Sequence, residues 1–158
     1  MSRPPLTIPK ALLQRCYAHG AQTYPEEGCG ILSGPAGADA VDGCHPIDNV
    51  LNRMHAEDPG RYPRTGADGY FMDPAQMMRL DRALAKEGRA VKVIFHTHVD
   101  VGAYFSAEDK TRALWAGEPL LPGIAYLVCG VKARRPDGAI LAWFDDTTRD
   151  FASAPVEA

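Results

Sequence analysis

Apolar residues recur at helical spacing in three parts of the chain, which predicts three helices. Over residues 9–24 they follow an i, i+1, i+4, i+5 stripe, and Pro25 ends the segment because the residue before a proline is disfavoured in helical geometry. Residues 73–88 open with Asp at the cap, Pro at the first position and Gln at the third, which is typical of a helix start. The third helix is predicted to run from Ser106 to about residue 116.

Short apolar runs bounded by Gly, Pro and Ser predict β-strands between these helices. The predicted strands cover residues 29–32, 40–50, 91–95, 124–131 and 139–144. Residues 134–138 predict a hairpin-like turn. This order of elements favours a mixed α/β (α+β) fold, in which helices pack on one sheet. We expect a single domain over 1–158, with its core at about 9–144 and a flexible tail over 145–158.

The polar segment 52–69 is rich in Gly and Pro and predicts a long loop. Loops of this length inside a domain are usually functional or mobile. We expect this one to flank the functional site and to help grip an extended substrate; a solvated loop without a role is the alternative. His55 within it, like His19 and His45, has no partner at metal-ligand spacing, so all three histidines are interpreted as structural.

Composition excludes several classes of protein. A 46% hydrophobic and 23% charged chain is ordinary for a globular domain, and a net charge of −3 without a Lys/Arg run argues against a nucleic-acid partner. No stretch reaches the roughly 18 apolar residues of a membrane span, and the start lacks an apolar signal core, so we expect a cytoplasmic protein without a membrane partner.

The cysteines lack metal-binding spacing and are interpreted as reduced, mostly buried thiols: Cys16, Cys29, Cys44 and Cys129. A cysteine-protease role for Cys29 would need an activating histidine, whose position the sequence does not give, so this role stays a minor alternative.

Candidate chemistry is concentrated in residues 90–115. His96 and His98 follow an apolar strand pattern one residue apart, and alternate residues of a strand point to the same face. Their imidazoles can therefore close on one metal ion at Zn–N distances of about 2.0–2.1 Å. Asp109 is the candidate third ligand, because it lies three residues after the predicted helix start at Ser106.

Each part of this motif also has an ordinary interpretation. A lone His-x-His pair is more often a plain strand feature, and residues 106–109 fit a capping box. The combination is more specific, because four specified residues at fixed offsets arise by chance at on the order of one in 10⁶ start positions. Two imidazoles and one carboxylate leave Zn²⁺ an open fourth position, which is typical of a catalytic site.

Residues 96–109 follow the pattern H-x-H-x7-S-x2-D, with His96, His98, Ser106 and Asp109 at the specified positions. This pattern resembles the signature of the JAMM (MPN-plus) zinc metalloproteases. That family also has an upstream glutamate in a P-x-E-x-C-G segment, which residues 25–30 match with Glu27 at the glutamate position. The resemblance extends over about 9–143. Val99 and Phe105 stand where family members usually have proline.

The resemblance implies a curved mixed β-sheet packed with helices, and one Zn²⁺ per chain held by His96, His98 and Asp109. It implies Glu27 as the general base that takes a proton from water and passes it to the leaving amine. It also implies Ser106 as a hydrogen-bond donor to the oxyanion.

The implied reaction is hydrolysis of an amide or isopeptide bond after the C-terminal Gly-Gly of a ubiquitin-like or sulfur-carrier protein, which would be the partner. Removal of an amino acid or conjugate from a sulfur carrier is the favoured version, and a deubiquitinase-like isopeptidase comes second. A non-catalytic MPN-type scaffold and a zinc hydrolase acting on a small molecule stay open.

Overall fold

The structure of the chain is a computed structural model, and it describes residues 3–157. Its main feature is one six-stranded sheet. The strands of this sheet are β1 (Cys29–Pro35), β2 (Gly43–Ile47), β3 (Arg89–Val99), β6 (Ala125–Lys132), β7 (Arg135–Asp145) and β8 (Asp150–Pro155). Their order across the sheet is β2-β1-β3-β6-β7-β8. The helices are α1 (Lys10–Thr23), α2 (Leu51–Glu57), α3 (Pro74–Lys86) and α4 (Ala107–Ala113). A separate small hairpin joins β4 (Leu114–Trp115) to β5 (Glu118–Pro119). The predicted mixed α+β class is confirmed.

The two central strands, β3 and β6, are parallel, and every other neighbouring pair in this sheet is antiparallel. Because β1 runs antiparallel to β3, the start of β1 lies beside the end of β3, with Cys29 opposite His96. The pairing continues beyond β1, since the Thr97 N–H donates to the Gly28 carbonyl at 2.9 Å. The residues that precede β1 therefore lie next to the last residues of β3.

Alternation along β3 divides the core between the two faces of the sheet. Val93 and Phe95 belong to a buried cluster that includes α1, whereas Ile94 packs with residues of α3 and α4. Gly20 of α1 allows that helix to approach closely, because a Cβ there would meet the Thr97 side chain at 2.6 Å. His96 and His98 lie two and four residues after Ile94 on the same strand, so their side chains point to the same face of the sheet, the one that packs against α3 and α4.

The helices predicted over 9–24 and 73–88 are confirmed as α1 and α3, and the Asp73 side chain accepts hydrogen bonds from the Ala75 and Gln76 N–H groups. The prediction of a loop throughout 52–69 is wrong at its start, where residues 51–57 form α2. This short helix was missed because its only buried residue is Leu51, which leaves no apolar stripe.

The prediction of a flexible tail over 145–158 is also wrong where β8 forms the sheet edge. Small residues weaken the strand pattern there, but pairing with β7 and packing of Phe151, Ala152 and Ala154 on the core stabilise a strand. Residue 158 lies outside the described residues. The hairpin turn falls at Ala133 and Arg134, both at positive φ, so it lies earlier than the predicted 134–138.

Candidate functional site

His96 and His98 lie near the end of β3 and are 0% and 5% exposed. Their rings point to the same side, with centroids 5.0 Å apart, as strand alternation predicts. The Nδ1 atom of His98 lies 3.1 Å from the Gly102 carbonyl. A carbonyl oxygen can only accept, so Nδ1 carries a proton, and in the neutral ring Nε2 then keeps the lone pair. His98 is thus held in the tautomer that suits a metal ligand.

The start of α4 brings Asp109 to these rings. Ser106 and Asp109 form a capping box: the Asp109 N–H donates to Ser106 Oγ at 3.0 Å, and the Ser106 N–H donates to Asp109 Oδ2 at 2.9 Å. The Asp109 carboxylate lies 3.3 Å from His96 Nε2 through Oδ1 and 3.5 Å from His98 Nε2 through Oδ2. Burial opposes ionisation of Asp109, but the two rings and the Ser106 N–H outweigh it and hold the pKa of Asp109 well below its usual range.

These three side chains fit a zinc ion. They offer two imidazole nitrogens and one carboxylate, their ligand atoms all lie within 4.8 Å of one another, and this is a set of donors that binds Zn²⁺ in proteins. Within residues 3–157, neither ring nitrogen of the fully buried His96 makes a hydrogen bond of good geometry, although Nε2 lies 3.3 Å from Asp109 Oδ1. Leaving such atoms unpaired costs about 1–3 kcal/mol each, and a metal would satisfy one of them. His96, His98 and Asp109 form the one possible metal-binding group among the described residues.

Glu27 immediately precedes Gly28, and pairing of Gly28 with Thr97 brings it to the histidines. The side chain is buried at 6% exposure, and its backbone N–H donates to the Gly66 carbonyl at 2.7 Å. Burial raises the pKa of Glu27 from 4.5 to about 7, with Asp109 and Asp68 adding to the effect and His98 opposing it. A carboxyl group with a pKa near neutrality is suited to accept and release a proton at neutral pH.

The Glu27 shift predicts a pH-dependent stability of the metal-free protein. Between pH 4.5 and 7 the folded state holds a proton that the unfolded state has lost, so this residue lowers the free energy of unfolding as pH rises. We expect the Glu27→Gln variant to gain up to about 3 kcal/mol relative to wild type between pH 4.5 and 8, at ~1.4 kcal/mol per pKa unit. Urea unfolding in a chelator, across that pH range, measures the difference. Parallel stability curves for the two proteins would contradict the assigned shift.

A cavity of about 280 Å³ opens in front of Glu27, Ser106 and Asp109. Residues of the segment 58–69 form one wall of it: Arg61, Tyr62, Pro63, Arg64, Asp68 and Gly69. Tyr70 and Arg112 also line the cavity. The Tyr70 ring stacks on His96 at a centroid distance of 4.5 Å, and the Arg112 guanidinium lies 4.8 Å from the centre of the Tyr70 ring.

Other histidines lie apart from this group. His45 Nε2 contacts Ser33 Oγ at 2.8 Å, and His55 Nδ1 contacts the Tyr62 carbonyl at 2.7 Å, so both make structural contacts. The His19 ring packs edge-on to Phe95, and burial lowers its pKa.

The cysteine-protease alternative loses support in the structure. Cys29 is fully buried, its Sγ contacts the Ile47 carbonyl at 3.4 Å, and burial raises its pKa to about 12. A thiol in this setting is unreactive because it does not form the thiolate.

Sequence reasoning missed three residues around the site. Asn49 links the backbone of Glu27 to the cavity wall formed by segment 58–69. Its Nδ2 donates to the carbonyls of Glu27 at 2.9 Å and Gly69 at 3.1 Å. No sequence pattern indicates that Tyr70 lies at the site, because its contact with His96 depends on how the preceding loop folds. The position of Arg112 could have been predicted: it lies three residues after Asp109, and residues three apart on a helix share a face.

A mixed sheet that carries this group of side chains at the end of its central parallel pair defines a JAB/MPN-type domain. The chain belongs to the prokaryotic homologs of the JAB domain, since that family's model matches residues 9–143. The JAMM resemblance predicted from the two motifs is therefore confirmed at the level of the family.

Curated relatives carry names that describe peptidases. The chain is 29% identical to the CysO-cysteine peptidase of Mycobacterium tuberculosis over 108 residues, which is 68% of this chain and 65% of that protein. The match thus spans less than two thirds of that relative. The chain is 30% identical to the "Probable TtuB-protein conjugate cleaving protease" of Thermus thermophilus over 128 residues, covering 81% of this chain and 74% of that protein.

Solved structures share the fold. A protein from Desulfitobacterium hafniense superposes with a TM-score of 0.67 at 22% identity, covering 96% of this chain and 91% of that one. A protein from Salinibacter ruber gives 0.62 at 27% identity, covering 96% and 89%. No helix among residues 3–157 combines the length and the apolar character needed to span a bilayer.

Proposed function

We propose that this protein is a zinc-dependent hydrolase that cleaves the amide bond after the C-terminal Gly-Gly of a ubiquitin-like sulfur-carrier protein. The observation that carries the proposal is the convergence of His96, His98 and Asp109 into one possible metal-binding group, of which Asp109 lines the same cavity as the buried Glu27. The name of the mycobacterial relative, a CysO-cysteine peptidase, supports the substrate class.

His96, His98 and Asp109 would hold one Zn²⁺ per chain, since they offer two imidazole nitrogens and a carboxylate. When bound, zinc supplies Lewis-acid chemistry, polarising the scissile carbonyl and acidifying a water molecule. The Gly102 carbonyl keeps the His98 tautomer fixed, and the capping box fixes the orientation of Asp109.

Glu27 acts as the general base. It takes a proton from the attacking water, whose oxygen bonds to the carbonyl carbon of the terminal glycine. The C–N bond then breaks, and Glu27 passes the proton to the leaving amine. The carrier is released with a free carboxylate.

Ser106 donates a hydrogen bond to the carbonyl oxygen as negative charge develops on it. Its Oγ accepts from the Asp109 N–H, which leaves the hydroxyl proton available. Segment 58–69 forms the wall along which the carrier's extended tail lies.

Replacing Ser106 by Ala should lower kcat by about 10²–10³-fold, the usual cost of losing one oxyanion donor. The same change removes a helix cap, which costs about 1 kcal/mol of stability. Steady-state kinetics and urea unfolding separate these effects. Asp73→Ala is the matched control, because it removes the cap of α3 outside the cavity and should lower stability alone. Equal kcat in Ser106→Ala and Asp73→Ala would contradict the catalytic role.

The substrate proposal is tested with a panel: a sulfur carrier extended by one residue after Gly-Gly, the same carrier joined to a lysine side chain, and small amides. We expect cleavage of the first. Cleavage of small amides alone would instead identify a small-molecule hydrolase, and cleavage of none by zinc-loaded protein would favour a scaffold.

The second candidate is an isopeptidase that removes carriers from proteins. The name of the Thermus relative, a probable TtuB-protein conjugate cleaving protease, favours it. Faster cleavage of the lysine-linked conjugate than of the linear extension would support this candidate.

A further inference from the structure

Arg112 stands in the cavity without an assigned role. It lies on α4 one turn after Asp109, and it lines the same cavity as Glu27, Ser106 and Asp109. No carboxylate within residues 3–157 forms an ion pair with it.

The Arg112 guanidinium is held in place from one side. It lies 4.8 Å from the centre of the Tyr70 ring, and its Nη1 donates to the Tyr70 carbonyl. Tyr70 itself stacks on the buried His96. An arginine presents five N–H donors in a planar fork, so the contact with the Tyr70 carbonyl leaves donors for a carboxylate. A cation fixed in this way loses little entropy when it binds an anion.

Two other arginines line the cavity but are placed differently. Arg64 Nη1 donates to the Asp68 carbonyl at 3.1 Å, and the Arg61 guanidinium lies over the Tyr62 ring at 5.4 Å. Both belong to the wall formed by segment 58–69, whereas Arg112 shares its helix with Asp109. Arg112 is therefore the cation best placed to meet a group close to the scissile bond.

We propose that Arg112 binds the α-carboxylate of a single amino acid that leaves from the carrier's C-terminus. This inference rests on the proposed function and narrows its substrate class to carriers extended by one residue in ordinary peptide linkage. The carboxylate carbon of such a residue lies about 2.5 Å from the scissile nitrogen, across one Cα. A lysine side chain joined through its amine has no carboxylate at that distance, so Arg112 selects against isopeptide conjugates.

The test compares two semi-synthetic CysO-type carriers that end in Gly-Gly-Ala, one as the free acid and one as the alanine amide. Zinc-loaded wild type should cleave the acid with a kcat/KM about 10–100-fold higher, the effect of one hydrogen-bonded charge pair. Arg112→Gln should bring this ratio close to one, chiefly by raising KM for the acid. Arg112→Lys should keep part of the preference, because it keeps the charge without the fork.

Lys110→Gln is the matched control, since Lys110 lies on the same helix but pairs with Asp150 outside the cavity. It should keep the wild-type ratio, and melting temperatures of all variants establish that they fold. A wild-type ratio near one, with both carriers cleaved, overturns this inference alone. If Arg112→Gln still prefers the free acid over the amide, this inference is also overturned, and the role of Arg112 is to hold Tyr70 in position. Cleavage of neither carrier by zinc-loaded wild type overturns the proposed function and this inference with it.

Discussion

Glu27→Gln is expected to lower turnover of a carrier substrate by about two to four orders of magnitude while the protein retains its zinc. The amide has nearly the shape of the carboxylate but cannot accept the water proton, so the loss falls on kcat. General-base catalysis contributes about 10²–10⁴-fold, which sets the size of the effect. Zinc should remain, because the three side chains proposed to bind it are untouched. Single-turnover kinetics and elemental analysis of the same sample measure both quantities.

The adjacent acid offers a matched control for this experiment. Glu26 has the same side chain one residue earlier, but its Oε1 accepts from Asn52 Nδ2 at 2.5 Å and it does not line the cavity in front of Asp109. Glu26→Gln should keep kcat within a few-fold of wild type. Near wild-type activity in Glu27→Gln, or equal losses in both variants, would show that the base is another group.

Residues that share a short motif could be placed from the sequence because local geometry brings them together. Strand alternation puts His96 and His98 on one face, and the capping box folds Asp109 back toward Ser106. Glu27 lies 69 residues before His96, so its proximity followed only from the family resemblance. Their roles in metal binding and catalysis stay predictions.

Long-range packing explains most of what the sequence did not yield. Tyr70 reaches His96 because Asn49 joins the segment before it to the Glu27 backbone, and no local pattern encodes that bridge. β8 forms because β7 offers a partner edge, although its own residues are weak strand formers. Conversely, Pro46 interrupts the predicted 40–50 strand and lies within β2, an edge strand where proline is tolerated.

Asp109→Ala is expected to lose both zinc and activity. Without the carboxylate only two imidazoles remain, and no other described residue joins His96 and His98 in a metal-binding group. Elemental analysis of protein purified without chelators should give about one zinc per wild-type chain and almost none for the variant. Activity should fall to background, since in the proposed mechanism the metal would polarise the carbonyl and acidify the water.

Two further variants separate loss of the metal from loss of the fold. Asp109→Ala also removes half of the capping box, so a drop in stability of about 1 kcal/mol is expected alongside the loss of zinc. Asp109→Asn keeps an oxygen that can accept from the Ser106 N–H but lacks the charge, and it should also lose most of its zinc while remaining close to wild type in stability. His98→Ala should lose zinc with the capping box intact. Zinc retained in all three variants would place the metal elsewhere, and a folded wild type without zinc would favour the scaffold alternative.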